Sequence, residues 1–233
     1  MIILADTRTR ARTLERLNIE KALFASVAVH RVGAEARLDS ASWLGREVVN
    51  KQRVVKGYRH PALDKSIQTA RIKNEVRLML EARRAGVPVP IIYSVDLAAN
   101  RIVMEEIPGV RVKDALESLP KEKAEEVCRK IGAIAARMHM NDIVHGDLTT
   151  SNMLLDGERI VVIDFSLGSR TSELEDKGVD IHLLEEAFHS AHYKRIELFE
   201  VVRDSYTKAY HGGADVLRKV KDIEKRGRYM RKE

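Results

Sequence analysis

Val144-His145-Gly146-Asp147-Leu148-Thr149-Thr150-Ser151-Asn152 sets an aspartate and an asparagine five positions apart, after a helical pattern and just before a β-prone run. That spacing suits phosphoryl transfer, in which an aspartate reaches the attacking hydroxyl while an asparagine slightly downstream holds a magnesium ion. Twelve residues beyond Asn152 comes Val162-Ile163-Asp164-Phe165, a carboxylate closing a hydrophobic strand and suited to chelating magnesium on phosphates. Each piece alone competes with ordinary turn capping; both together, in this order, do not.

Around this core the chain shows alternating order. Val27 to Val32, Glu35 to Leu38 and Glu47 to Val55 read as strands, punctuated by Gly33, the Asp39-Ser40-Ala41-Ser42 cluster and Gly45. His60-Pro61 opens a helix of about five or six turns, with Leu63, Ile67, Ala70, Val76, Met79 and Leu80 as its stripe and Gly86, Pro88 and Pro90 as its stop. Ile91 to Val95 and Ile102 to Glu105 add two strands, and Pro108-Gly109 breaks the chain. Downstream, Val127, Ile131, Ile134 and Met138 form one helical stripe; Val179, Leu183, Ala187 and Phe188 a second; Ile196, Phe199, Val202 and Tyr206 a third. A hairpin, Met153 to Leu155 with Ile160 to Ile163, lies between the first two. The expected fold class is α+β, with a five-stranded antiparallel sheet and one long helix followed by a small, mainly helical part. The expected division is 1–25 as an extension carrying a basic helix (Leu14, Leu17, Lys21, Phe24), 26–108 as the first lobe and 109–233 as the second.

Composition agrees. The chain has 233 residues, 44% hydrophobic and 33% charged, enough to bury one core or two small ones. No apolar run approaches the roughly 18 residues of a membrane span, and Met1 to Arg8 is too short for a signal-peptide core, so a cytoplasmic address without membrane partners is expected. Cys128 stands alone, which excludes an intrachain disulfide or a thiolate zinc site. Forty-one Lys and Arg against 35 Asp and Glu give +6, and residues 215–233 hold eight basic and four acidic side chains. Such a tail favours a polyanion; a solvated helix predicts the same residues.

A phosphoryl-transfer site also needs a cation on the phosphates and a carboxylate to hold it. Lys51 in the third strand and Glu75 on the long helix are the preferred pair, with Lys56 and Glu81 as rivals. Gly33-Ala34-Glu35-Ala36 sits where a phosphate-covering turn belongs, although an ordinary hairpin turn predicts the same residues. Met104-Glu105-Glu106-Ile107 ends the fifth strand, where an adenine would meet backbone groups.

His145 to Met153, together with Gly33 to Ala36, Lys56-Gly-Tyr-Arg-His-Pro-Ala-Leu-Asp64 and Glu175-Asp-Lys-Gly-Val-Asp180, resembles the small atypical kinase of the KEOPS (EKC) complex, a relative of the RIO kinases. The resemblance runs from about Val29 to the C-terminus. It implies a reduced two-lobe protein-kinase fold that binds ATP and Mg2+, acts as a serine/threonine kinase and chiefly as an ATPase, and supports threonylcarbamoyl-adenosine modification of tRNA beside a threonylcarbamoyl-transferase subunit and the other KEOPS subunits. Asp147 becomes the catalytic aspartate, Lys51 and Glu75 the ATP-site pair, Asn152 and Asp164 the magnesium ligands, and Gly33, Ala34, Glu35, Ala36, Met104, Glu105 and Ile107 nucleotide contacts. Three departures stand out. His145-Gly146-Asp147 has no arginine for a phosphorylated loop, Glu175 follows Asp164 by only 11 residues with no Ala-Pro-Glu platform, and Ser166 replaces a glycine. Serine resists positive φ, which bears on the mobility of the segment after Asp164. The alternatives are a small-molecule phosphotransferase of the aminoglycoside or choline kinase kind and a pseudokinase scaffold.

Overall fold

The structure, a computed structural model, describes residues 24–32 and 36–230. Leu14, Leu17 and Lys21 of the expected basic helix, and Gly33, Ala34 and Glu35 of the expected phosphate turn, lie outside the described residues. Phe24, assigned to that helix from the sequence, instead opens strand β1.

Three strands come first, β1 (Phe24–Val32), β2 (Ala36–Trp43) and β3 (Arg46–Arg53), then helix α1 (Pro61–Arg84), then β4 (Ile92–Asp96) and β5 (Arg101–Glu105). The antiparallel sheet runs β1-β2-β3-β5-β4. Strand β1 lies along β2 with register shifts between Phe24 and Val27 and between Val29 and Arg31. Asp39-Ser40-Ala41-Ser42, read as turn punctuation, lies inside β2. Asp39 and Ala41 alternate inward, Arg37 Nε donates to Asp39 Oδ1 at 2.8 Å, and Ser40 Oγ donates to Glu106 Oε1 at 2.6 Å. The turn falls instead at Leu44 (φ 52°) and Gly45 (φ 73°), the two-residue geometry that matches strand twist. Ala41, Val48 and Val103 form the core on one face, with Trp43 and Tyr93 packed against them.

The chain separates into two compact units, the described residues of Met1–Gln68 with Ile91–Glu106, and Thr69–Pro90 with Ile107–Glu233. The second unit holds β6 (Val110–Arg111), α2 (Val112–Ala115), α3 (Lys121–Met140), β7 (Ile143–Val144), β8 (Met153–Asp156), β9 (Arg159–Val162), β10 (Ser169–Arg170), α4 (Leu174–Ala191), α5 (Leu198–Ala209) and α6 (Gly213–Met230). Helix α3 packs on α5 and α4 on α6. Val127, Ile131, Ile134 and Met138 are buried on α3, as are Phe199, Val202 and Tyr206 on α5, and Gly132 lets the two helices approach where a Cβ would lie 2.3 Å from the Val202 carbonyl oxygen. Each such side chain contributes roughly 1.5–3 kcal/mol of burial. Cys128 is buried in α3, and burial pushes its thiol up to about 12, which makes it inert.

Two stripes differ from the sequence reading for one reason. On α1, Leu63 and Leu80 are exposed, whereas Asp64, Gln68, Ile72, Glu75, Leu78, Met79 and Ala82 are buried. On α4, Val179 is exposed, and Lys177, Asp180, Ile181, Leu184 and Phe188 face inward. Polar side chains with built-in partners occupy positions where periodicity expects apolar ones.

Candidate active site

The aspartate–asparagine loop is built entirely within the second unit. Strand β7 delivers His145, Gly146 and Asp147, and a single tight turn at Thr150–Asn152 leads into β8. Asn152 Nδ2 donates to both the Asp147 carbonyl (2.9 Å) and Asp147 Oδ2 (2.8 Å). Its Oδ1 therefore faces away from Asp147. Strand β8 pairs Met153 with Val162 on β9, and the Ile163 amide donates to the Asn152 carbonyl at 3.0 Å. Asp164 follows at once, so the register brings Asp147, Asn152 and Asp164 to one end of the β8–β9 hairpin. All three are half-buried.

Below them lies a frame that the spacing of Asp147 and Asn152 does not reveal. The Asp180 carboxylate, fully buried on α4, accepts the His145 amide at 2.6 Å and the Gly146 amide at 2.8 Å. It also lies 3.4 Å from His139 Nε2, and His139 Nδ1 is 2.7 Å from the Tyr206 hydroxyl. Burial raises the Tyr206 phenol, which stays protonated. His145 Nε2 donates to the Ile163 carbonyl at 3.0 Å and its Nδ1 accepts the Asp147 amide at 3.3 Å, a neutral tautomer fixed by both bonds. Its ring packs on Phe165 at 4.6 Å. His145 thus ties the segments carrying Asp147 and Asp164. Lys177 Nζ donates to Asp142 Oδ1 at 2.8 Å, just before β7. Thr150 Oγ1 meets His192 Nε2 at 3.0 Å, and burial holds the His192 imidazole below its ordinary pKa.

Gly146 has φ 77°, and a Cβ there would lie 2.2 Å from the Leu167 carbonyl oxygen. Only glycine fits. The positive φ near Asp164 belongs to Asp164 itself (φ 66°), and Ser166 is outside that region. Replacing glycine by serine at 166 therefore carries no backbone strain in this conformation.

In the first unit, Lys51 is buried in β3, paired with Leu38 and Ile102, so it shares a sheet face with Ala36 and Met104. Lys56 lies beyond the strand, where its amide donates to Asp64 Oδ2 at 3.3 Å. Asp64 also takes Arg59 Nη1 at 3.4 Å and Gln68 Nε2, and Gln68 Oε1 accepts from Asn100 Nδ2 at 2.6 Å. The Lys56 to Asp64 stretch is thus a brace for the entry of α1. Glu105 Oε2 accepts the Ile91 amide at 3.0 Å, and the Glu105 and Glu106 amides donate to Ile91 and Glu47. Glu75 is buried in the second unit's part of α1, whereas Glu81 approaches Arg170 at 3.9 Å. Lys51 and Glu75 fall in different units. In the C-terminal tail, Lys219 and Arg226 pair with Glu175 and Arg218 with Asp215.

An antiparallel sheet with one long helix, followed by a helical unit carrying an aspartate–asparagine loop and a strand-end aspartate, defines the kinase-like α+β class. The crystal structure of the Rio2 kinase-ADP/Mg2+-phosphoaspartate complex from Chaetomium thermophilum has this fold, with a TM-score of 0.65 at 16% identity over 94% of this chain and 75% of that one. The RIO domain model matches residues 36–178. The KEOPS complex subunit Bud32 of Pyrococcus abyssi is 41% identical over 78% of this chain and 84% of its own length. The EKC/KEOPS complex subunit Tp53rkb of Mus musculus is 40% identical over 84% of both. A probable bifunctional tRNA threonylcarbamoyladenosine biosynthesis protein of Methanothermobacter thermautotrophicus is 40% identical over 84% of this chain but 36% of its own length, so the chain spans about a third of such relatives. The chain belongs to the RIO-domain family.

Among the described residues no helix is long and apolar enough to cross a membrane.

Proposed function

We propose that the chain is an ATP-binding, magnesium-dependent atypical serine/threonine kinase and ATPase that works in a KEOPS-type assembly in the cytoplasm. There it supports threonylcarbamoyl-adenosine formation on tRNA, beside a threonylcarbamoyl-transferase subunit. The observation that carries this reading is the double hydrogen bond from Asn152 Nδ2 to Asp147, which leaves Asn152 Oδ1 turned away from Asp147, while the Asn152 main-chain carbonyl accepts the Ile163 amide just before Asp164. Oxygen donors only, one carboxylate and one amide carbonyl, suit Mg2+. The metal's contribution when bound is to neutralise charge on the phosphates.

In this reading Asp147 accepts the proton of the attacking hydroxyl or water, and Asn152 keeps its carboxylate oriented. Lys51 supplies the cation for the phosphates and Glu75 the carboxylate that such a cation needs, with Gly33, Ala34, Glu35 and Ala36 as the expected phosphate-side contacts and Ala36 on the same sheet face as Lys51. Met104 backs the adenine. Glu105 and Ile107, at the end of the same strand and just beyond it, are the contacts for its edge. The KEOPS assignment is supported by the relatives from Pyrococcus abyssi and Mus musculus, which this chain matches over most of their length.

The test is magnesium-dependent ATP hydrolysis by purified protein, with and without the other subunits. Asp164→Ala is expected to abolish turnover in a folded protein, and Asp147→Ala to lower turnover far more than ATP affinity. Near-wild-type hydrolysis by folded Asp164→Ala would refute the assignment.

A further inference from the structure

Outside the loop, one corner of the second unit gathers metal-ligating groups. His182 and Glu185 stand three residues apart on α4, on one helical face, and Glu224 stands on α6; one ligand atom from each lies within 4.8 Å of the others. The two helices meet closely here, because a Cβ on Gly178 would lie 3.0 Å from Lys219 Cγ and 3.1 Å from Ile223 Cδ1. His182 Nδ1 is buried without a hydrogen-bond partner. A buried imidazole nitrogen left without a partner is costly, and a bound cation is one way to satisfy it. We propose that His182, Glu185 and Glu224 form a binding site for a divalent transition-metal ion, with Zn2+ the best match, that clips α6 to α4.

The donor set selects the ion. An imidazole nitrogen is a poor ligand for Mg2+ or Ca2+, whereas one nitrogen with two carboxylate oxygens suits Zn2+ and leaves a position for water. Ligand atoms around a tetrahedral Zn2+ at about 2.0–2.1 Å are separated by about 3.3 Å, a closure within reach of side-chain rotation. The clip would fix the helix that carries the basic C-terminal segment.

Untagged full-length protein, free of nucleotide, is titrated with ZnCl2 by calorimetry, with Co2+ absorption reporting coordination and thermal unfolding reporting stability. Expected are one ion per chain and a midpoint raised by roughly 5 °C or more at a hundredfold excess over Kd. Glu224→Gln, near the end of α6, and Glu185→Gln should each weaken binding at least tenfold, and Asp164→Ala should leave it unchanged. No saturable Zn2+ binding up to about 100 µM, equal binding by the folded Glu224→Gln and Glu185→Gln proteins, or loss of binding in Asp164→Ala would each overturn the proposal.

Discussion

Asp180→Asn tests whether the buried frame, and not the loop alone, positions the chemistry. The substitution preserves volume but replaces one acceptor oxygen by an NH2 group. Asp180 is fully buried and accepts two main-chain amides at 2.6 and 2.8 Å, so one of them loses its partner. An orphaned buried amide costs about 1–3 kcal/mol, and turning the remaining charge-assisted bond into a neutral one costs about 1 kcal/mol more. The sum, on the order of 2–4 kcal/mol, is a large share of a typical folding free energy of about 5–15 kcal/mol. For a chain of this size it lowers the unfolding midpoint by about 5–15 °C. The amides concerned belong to His145 and Gly146, immediately before Asp147, and a displacement of about 1 Å there costs about a hundredfold in turnover. On the proposed reading ATP affinity should change less than turnover, because Lys51, the proposed phosphate cation, is in the other unit. The assay pairs denaturant unfolding with ATP hydrolysis measured well below both midpoints. Stability within about 0.5 kcal/mol of wild type together with unchanged turnover would show that the carboxylate does not hold the loop.

Two further substitutions follow from the same unit. Gly146→Ala and Gly157→Ala both place alanine at positive φ (77° and 58°), but only the first drives a Cβ to 2.2 Å from a carbonyl oxygen, while the second meets nothing within 4 Å. Gly157→Ala should cost about 1–2 kcal/mol with turnover intact, and Gly146→Ala clearly more with turnover lost; equal effects would mean that strain, not the collision, matters. His192 is held below its ordinary pKa by burial, so the unfolded chain takes up this proton first. Stability from this residue is fully present above about pH 6.5 and is lost as pH falls from there through the depressed folded value. His192→Gln should flatten that part of the stability–pH curve, and an unchanged slope would show that His192 does not titrate there.

The loop was legible because its chemistry dictates both residue type and spacing: no apolar packing demand explains an aspartate, an asparagine and a strand-end aspartate in that order. Strands with β-branched residues were legible too, since Val48 and Val103 reach the core in the alternation they suggest. What misled was the assumption that the inward face of a helix is apolar. Asp64, Gln68 and Glu75 on α1, and Lys177 and Asp180 on α4, are buried. Asp64 and Asp180 sit in the stretches that carry the family resemblance, but the role of Asp64 shows only once the chain folds back at the start of α1 to bring Lys56 and Gln68 to it, and that of Asp180 only with the His145 and Gly146 amides, more than thirty residues away.

The missing arginine before Asp147 gains a physical explanation from the same frame. In a kinase regulated by loop phosphorylation, an arginine at that position gathers the phosphate. Here the position is Gly146, whose φ of 77° and 2.2 Å Cβ approach to the Leu167 carbonyl leave no room for a side chain. The main chain that follows Asp164 therefore occupies the space an arginine would need to begin. Its own position is fixed without any phosphate, because Asn74 Nδ2 donates to the Gly168 carbonyl at 2.8 Å and the Gly168 amide donates to the Phe165 carbonyl at 3.1 Å. With the loop tied to Asp180 from below and to residues 163–168 from the side, its order is an internal property of the helical unit. In the function proposed above, control of ATP turnover then acts elsewhere, on Lys51 or Glu75 or on access to the nucleotide.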